Sequence, residues 1–354
     1  MKVLLLSRYP RIGASSRLRS YQYLPGLAES GIEVSVSPLF SEAYLEDFYR
    51  SGKKRPTALL LAYWSRLKQL LKANQFDLLW VEKELFPWLP AFAEQLLARL
   101  GLPLLVDYDD AIFHRYDQSR SALLRTLLGK KIDRVMASAS LVTVGNDYLA
   151  KRAEAAGAPR VMRLPTVLDV KRYQVKTVSE HSPVTVGWIG SPTTAGYLEL
   201  ILEPLRAVAR KHPLRLMVVG AQIEPIDDLP VVCVDWSEAH EAELIQQFDL
   251  GVMPLADQLW EKGKCGYKLI QYMACALPVI ASPIEVNREI VEHGVDGYLA
   301  EDAAAWESAL IRLIESAPLR QEMGRIGRAK VEQHYSLSRM TARLVSAIRQ
   351  SATR

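Results

Sequence analysis

The strongest constraint on this 354-residue chain is a strand-then-helix alternation that runs twice, with a polar break between the two passes. In the first pass, short apolar runs at 2–7, 32–37, 77–81, 103–107, 141–144 and 160–164 read as buried strands. Stretches of helical spacing at 17–29, 58–73, 85–100, 119–137 and 147–156 fall between them. The second pass has strands at 184–189, 214–220, 231–234, 250–254 and 279–281, with helices at 195–211 and 239–248, and is continued by the stretches 285–293 and 298–300. Three further helical stretches, 303–316, 318–334 and 337–351, end the chain. Apolar strands alternating with helices call for parallel sheets covered on both faces, because the crossover between parallel strands must travel over the sheet. The fold class expected is therefore α/β, with two similar domains: 1–170 and 183–336, joined by a polar linker at 171–182 that carries Lys171, Arg172, Lys176, Glu180 and His181.

Composition narrows the function classes. The chain is 49% hydrophobic and 24% charged, ordinary for a globular protein with sizeable cores. A net charge of +4 is too mild to argue for nucleic acid, and no nucleic-acid partner is expected. Three cysteines, Cys233, Cys265 and Cys275, lack the pairing and spacing of a disulfide framework or a zinc site. The apolar run in Met1–Arg8 is too short for a signal peptide, and no run approaches the ~20 residues that span a bilayer. The expected location is cytoplasmic, with at most a peripheral contact at the inner face of the membrane. The feature that suggests such a contact is the basic stretch Arg120, Arg125, Lys130, Lys131, Arg134 interleaved with Leu123, Leu124, Leu127 and Leu128.

Chemistry is concentrated in the stretch from Lys264 to Ser282. Read as a helix at about 100° per residue, it places Lys264, Lys268 and Gln271 within roughly 60° of one another, opposite Leu269, Ile270, Met273 and Ala274. Gly266 lets backbone approach a ligand at the first turn. Two ammonium groups beside the positive end of a helix dipole suit a diphosphate. Four other groups of residues follow predicted strands. Gly190, Ser191, Pro192, Thr193 and Thr194 gather hydroxyls and N–H groups that fit a phosphate or a sugar, without the G-x-G-x-x-G pattern of a dinucleotide site. Gly13, Ala14, Ser15, Ser16 and Arg17 form an early small-residue loop, with Arg17 or Arg19 available to an anion and Ser15 or Ser16 expected as helix N-cap. Asp107, Asp109, Asp110 and His114 set carboxylates and an imidazole at one strand end, where repulsion between adjacent acids is expected to raise one of them, to serve as a base or as a sugar-hydroxyl acceptor. Glu285 and Asn287 are placed to hold sugar hydroxyls. No G-x-S-x-G, H-E-x-x-H or Walker loop is present.

The run Met273-Ala274-Cys275-Ala276-Leu277-Pro278-Val279-Ile280-Ala281-Ser282, continued by Glu289-Ile290-Val291 and Gly294-Val295-Asp296-Gly297-Tyr298-Leu299, resembles the signature of the retaining glycosyltransferases of family 4, which have the GT-B fold. The loop at 13–16, Trp188–Thr194 and Asp249–Pro254 occur where that family's counterparts fall. The resemblance implies two Rossmann-like domains with parallel sheets facing a central cleft, and a last helix, 337–354, packing back on the amino-terminal domain. It implies an enzyme of the hexosyltransferase type that moves a sugar from a UDP- or GDP-sugar to a hydroxyl on a carbohydrate or lipid-linked acceptor, in polysaccharide, glycolipid or glycoconjugate assembly. No cofactor and no metal is implied. Donor-binding residues would be Gly190 to Thr194, Lys264, Tyr267, Lys268, Gln271, Glu285 and Asn287. Catalysis would fall to Asp109, Asp110, His114, Lys264 and Lys268, and the acceptor side to Gly13–Arg17. The chain departs from the family pattern in two places. Gly263 and Gln271 stand where two glutamates are usual, and Ser191 and Gly196 stand where an arginine and a lysine are usual. Lys264 and Lys268 are read as the relocated diphosphate clamp. Two other readings fit the same residues: a non-catalytic sugar-nucleotide-binding protein, and a UDP-sugar epimerase of the same fold.

Overall fold

The structure, a computed structural model, describes residues 1–51, 56–176 and 182–352. The part of the expected linker at 177–181 and the end of the expected terminal helix at 353–354 lie outside the described residues. Contacts divide the chain into two compact units: Met1–Thr166 with Gly263–Cys265 and Leu337–Arg354, and Val167–Lys262 with Gly266–Ser336.

The first unit is built on a six-stranded parallel sheet of β1 (Lys2–Leu6), β2 (Glu33–Val36), β3 (Leu78–Glu82), β4 (Leu104–Tyr108), β5 (Leu141–Val144) and β6 (Val161–Arg163), in the order β2-β1-β3-β4-β5-β6. The central strands are apolar on both faces and fully buried, as parallel strands covered by helices must be. The chain starts at β1, steps to β2 on one side, then crosses to β3 on the other. That reversal opens a crevice at the carboxyl ends of β1 and β3, where ligands bind in sheets of this kind. Helix Leu337–Ala352 belongs to this unit and packs against helix Leu24–Glu29, where Thr341 closes on Gly26 and Arg349 donates to the Ser30 carbonyl at 2.6 Å.

The second unit repeats the plan with β7 (Val184–Ile189), β8 (Leu214–Val219), β9 (Val231–Val234), β10 (Leu250–Met253), β11 (Val279–Ala281) and β12 (Gly297–Leu299), all parallel, in the order β12-β11-β10-β7-β8-β9. Its reversal point lies between β7 and β10. Helix Tyr267–Ala274 is held there by Tyr272. Its ring lies where a side chain on Gly251 of β10 would have to go, and its hydroxyl accepts from the Ile189 N–H at the end of β7, 3.0 Å away.

Several predicted helices are shorter or broken, each for a local reason. The first begins at Ala14 with Gly13 as N-cap, because the Ser15 and Ser16 hydroxyls are engaged elsewhere; it ends at Arg19, and a new helix starts at Leu24 with Pro25 in its first turn. Pro87, Pro90 and a left-handed Trp88 (φ 67°) delay the helix expected from 85, which starts at Phe92. The basic stretch splits into Ala122–Leu128 and Lys131–Ser138. The stretch after β7 is a 3₁₀ helix, Pro192–Ile201, that continues as an α-helix, Leu202–Ala209. Left-handed Gly266 (φ 64°) starts the Tyr267 helix late, so Lys264 precedes it and does not share its face.

Candidate active site

In the first unit, the segments after β1, β3, β4 and β5 and the short piece Gly263–Cys265 meet in one cluster. Lys83 follows β3 in a left-handed conformation (φ 67°) that an unbranched side chain rarely adopts. Its ammonium lies 2.7 Å from Asp109 Oδ1, 3.6 Å from Asp110 Oδ2 and 3.1 Å from Ser15 Oγ. Ser15 donates a short hydrogen bond to Asp109. The Lys264 ammonium pairs with Asp110 Oδ1 at 3.0 Å, and its carbonyl accepts from Asn146 Nδ2 at 2.8 Å. Cys265 donates to the Asp109 carbonyl, and its sulfur occupies the space a side chain at Gly145 would need. Two carboxylates and two ammonium groups therefore balance within a few ångströms.

This geometry revises the expected acid–base assignment. Burial alone would push the Asp109 carboxyl up, but the Lys83 ammonium, helped by Arg19 and the Ser15 hydrogen bond, holds it down to about 2. Asp109 is thus a fixed anion, not a base. Asp110 keeps about a quarter of its side chain in solvent and is the better placed of the two to accept from a sugar hydroxyl. Asp107 does not face the cluster: it is buried in a two-point pair with Arg19 (2.6 and 2.9 Å) and accepts from Thr143, which also removes Arg19 from the candidate anion binders. His114 has both ring nitrogens engaged, Nδ1 with Asp117 (2.8 Å) and Nε2 with the Tyr148 hydroxyl (2.7 Å), which makes it a link between two helices rather than an open base. Ser16 is buried and donates to Glu82 at 2.6 Å; Arg17 is buried too, while Gly13 tolerates no side chain against Tyr9.

In the second unit, the loop after β7 is open. Ser191, Pro192 and Thr193 are exposed and Gly190 and Thr194 half-buried. The Ser191 and Thr193 hydroxyls lie 2.8 Å apart, and Thr194 donates back to the Ser191 carbonyl at 3.0 Å. Close packing at Gly190, where a Cβ would come within 2.5 Å of the Trp188 ring, fixes the backbone. The half-buried Lys268 ammonium stands 5.4 Å from the centre of that same ring, a cation–π pair at the carboxyl end of β7. Tyr267 begins the helix that carries it. Glu285 follows β11 with a strained φ of 26° and is half-buried.

Two donor candidates turn inward instead. Gln271 is buried and donates to the Tyr173 hydroxyl at 3.2 Å; Tyr173 donates on to Glu241 at 2.6 Å, whose other oxygen accepts from Trp236 at 2.9 Å. Asn287 is wholly buried and donates to the Ser282 carbonyl at 3.0 Å. Both are hydrophilic residues, which a sequence pattern reads as solvent-facing. Gly263, the other glutamate position of the resemblance, presses on Ala111: a Cβ there would lie 2.4 Å from the Ala111 nitrogen. The residues missed from sequence are Glu82, Lys83 and Glu84, with Arg8, Tyr116 and Lys131 closing on Glu84 in a buried network. A signal existed: Glu82 ends an apolar strand and Lys83 and Glu84 follow it, just as Asp109 and Asp110 follow β4.

Residues 183–316 match the family of glycosyl transferases group 1. A curated relative, the N-acetyl-alpha-D-glucosaminyl L-malate synthase of Bacillus anthracis, is 31% identical over 96 residues, which span 27% of this chain and 24% of that protein. Among solved structures, a glycosyltransferase from Rickettsia africae superposes with a TM-score of 0.71 at 12% identity, covering 99% of this chain and 98% of its own. Sucrose-phosphate synthase from Thermosynechococcus elongatus gives 0.69 at 14% identity, covering 99% and 98%. HepE from Anabaena, solved with UDP, gives 0.68 at 17% identity, covering 99% and 100%. The fold is therefore that of the GT-B glycosyltransferases, and residues 183–316 carry a glycosyl transferases group 1 domain.

Proposed function

We propose that this chain is a glycosyltransferase that moves a sugar, with retention, from a nucleotide-sugar of the UDP or GDP type to a hydroxyl on a carbohydrate or lipid-linked acceptor. The observation that carries the reading is the Lys268 ammonium over Trp188 beside the open Gly190–Thr194 loop, at the reversal point of the second sheet. A diphosphate there meets one ammonium and a set of hydroxyl and N–H donors. These donors gain most as negative charge develops on the leaving group, which is the condition for speeding the reaction and not just tightening binding. HepE, of the same fold, was solved with UDP and with UDP-glucose, which supports the choice of donor. In the first unit, Asp110 orients an acceptor hydroxyl while Lys83, Lys264 and Asp109 keep the cluster neutral. Departing phosphate takes the acceptor proton, so no protein base with a raised pKa is needed.

The test is calorimetry with UDP and GDP, followed by transfer assays on UDP- and GDP-sugars. Lys268→Ala should weaken nucleoside diphosphate binding by about tenfold to a hundredfold and lower turnover by at least as much, with the melting temperature unchanged. Full turnover in Lys268→Ala would refute this reading. One observation favours a second reading, a binding protein without turnover: backbone closure on Ala111 leaves position 263 no room for the glutamate the resemblance expects. Tight diphosphate binding with no sugar consumed over a broad acceptor panel would decide for it. The epimerase reading needs a histidine at the sugar, and His114 has both nitrogens committed.

A further inference from the structure

The first unit carries a broad apolar face that neither the cluster nor the sheet uses. Helix Pro56–Leu70 rests on the loop after β3 through Tyr63, which packs edge-on against Phe86 at 5.3 Å and donates to the Pro87 carbonyl. Between that helix and the start of helix Phe92–Arg99 runs a groove of about 480 Å³ whose walls include Leu60, Trp64, Leu67, Leu89 and Phe92. These residues are not sheltered: Leu60 is 69% exposed, Trp64 60% and Phe92 71%, and Leu71, just past the helix, is 78% exposed. So large a contiguous patch of leucine and aromatic surface is unusual unless something covers it.

Charge identifies the cover. From 56 to 76 the sequence has Arg66, Lys68 and Lys72 and no acid; from 118 to 132 it has Arg120, Arg125, Lys130 and Lys131 and no acid. Arg66 and Lys131 are buried, but Lys68, Lys72, Arg120, Arg125 and Lys130 are exposed, as is Arg99 at the end of the second helix. Lys68 lays its ammonium 5.5 Å from the Trp64 ring, the arrangement of a lysine that covers apolar surface and keeps its charge at the rim. Glu94, the one acid of helix Phe92–Arg99, is buried and accepts from the Leu85 N–H. The helix Ala122–Leu128 continues the pattern with Leu123 and Leu127 exposed beside Arg125; it packs on helix His114–Asp117, whose Tyr116 accepts from Trp88 N–H at 3.1 Å and stacks edge-on with its ring. A second copy of the chain is a poor occupant, because pairing this face with itself would set cations against cations with no acid to meet them.

We propose that this face seats on an anionic lipid surface, with Leu60, Trp64, Leu89 and Phe92 entering the acyl boundary and the surrounding lysines and arginines meeting the headgroups. No helix among the described residues is long and apolar enough to cross a membrane, so the contact is made lying on the surface. The contact is independent of the donor chemistry above: it needs neither Lys268 nor the loop after β7.

The experiment is vesicle flotation with the full chain. Vesicles of phosphatidylcholine are compared with vesicles that also contain phosphatidylglycerol, at low and raised salt. The wild type should float with the anionic vesicles, lose about tenfold or more in affinity on neutral ones, and weaken as salt screens the headgroups. Trp64→Ser with Phe92→Ser should cost about tenfold or more on anionic vesicles, since both substitutions remove apolar area that enters the boundary. Leu200→Ser in the second unit, also exposed, should change nothing. Should the double variant melt early, quenching of wild-type tryptophan fluorescence by brominated phosphatidylglycerol takes its place, with quenching expected. Wild type that stays in the aqueous fraction at low salt, a folded double variant that floats like wild type, or absent quenching overturns the proposal. So does a concentration-dependent dimer abolished by the double variant without any vesicle binding.

Discussion

The carboxyl ends of the two sheets solve opposite problems with the same topology. In the first unit, Lys83, Asp109, Asp110 and Lys264 are paired with one another, and Ser15 completes the set. In the second, the loop after β7 holds hydroxyls in solvent and one ammonium over an indole ring. The first is a neutral, internally bonded cluster; the second, on the reading proposed above, receives an anion from outside. Equivalent places in a doubled fold thus differ in how far their polar groups lie in solvent. By that difference, charges in the first unit should act on stability and those in the second on ligand affinity.

The largest effect expected is at Lys83. Lys83→Met leaves Asp109 largely buried without its main counter-ion, and breaking such a pair costs about 3 to 5 kcal/mol. Urea unfolding measures it directly. A loss below about 1 kcal/mol, with activity abolished, would mean that Lys83 serves a ligand and that the two strand ends are not opposites after all.

The two parallel sheets were legible because the signal is a long-range one: apolar runs recur and the period changes from strand to helix. Whether Lys264 precedes or opens the first turn of the next helix was not, because it turns on a single left-handed glycine that can equally sit inside a first turn. Lys264, Lys268 and Gln271 looked like one face; the structure gives them three partners, Asp110, Trp188 and Tyr173. That Asp109 is held down and is not the acid raised by its neighbour was hidden for a related reason. Sequence shows the neighbouring acid at 110, but the lysine that decides the matter comes from a strand some 25 positions earlier and pairs across the sheet. Inward-facing polar residues such as Gln271 and Asn287 are invisible to hydrophobic patterning, since only the partner reveals the burial.

Gln271 gives the next largest effect and tests whether the second unit also has an interior network like that of the first. Gln271→Glu would restore an acid the resemblance expects, yet the site is buried and Tyr173 already serves the Glu241 carboxylate. The change removes a donor and sets a second acid next to that system. We expect a cost of about 2 to 3 kcal/mol at neutral pH and no gain in turnover. Burial and the nearby carboxylate raise the new acid's pKa, so the penalty is full above that raised value and fades as pH falls through it. A variant as stable as wild type at neutral pH, with faster transfer, would show that position 271 reaches the donor.

The smallest of the three effects is acid loss in the first unit. Asp109 is held near pKa 2 against an ordinary value of 3.8, so its carboxylate is more stable folded than unfolded. Its contribution is fully present above the unfolded value and disappears as pH falls through about 2, which amounts to about 2 kcal/mol lost over that window. Asp109→Asn abolishes the titration, so the stability gap between wild type and variant should close progressively between about pH 5 and pH 2. The hydroxyls of Ser191, Thr193 and Thr194 do not ionise in this range, and Ser191→Ala should leave the same acid profile intact. A gap between wild type and Asp109→Asn that stays constant across the window would mean that the Lys83 pair is not holding the first unit's strand end together, and the contrast between the two ends would have to be sought in their ligands alone.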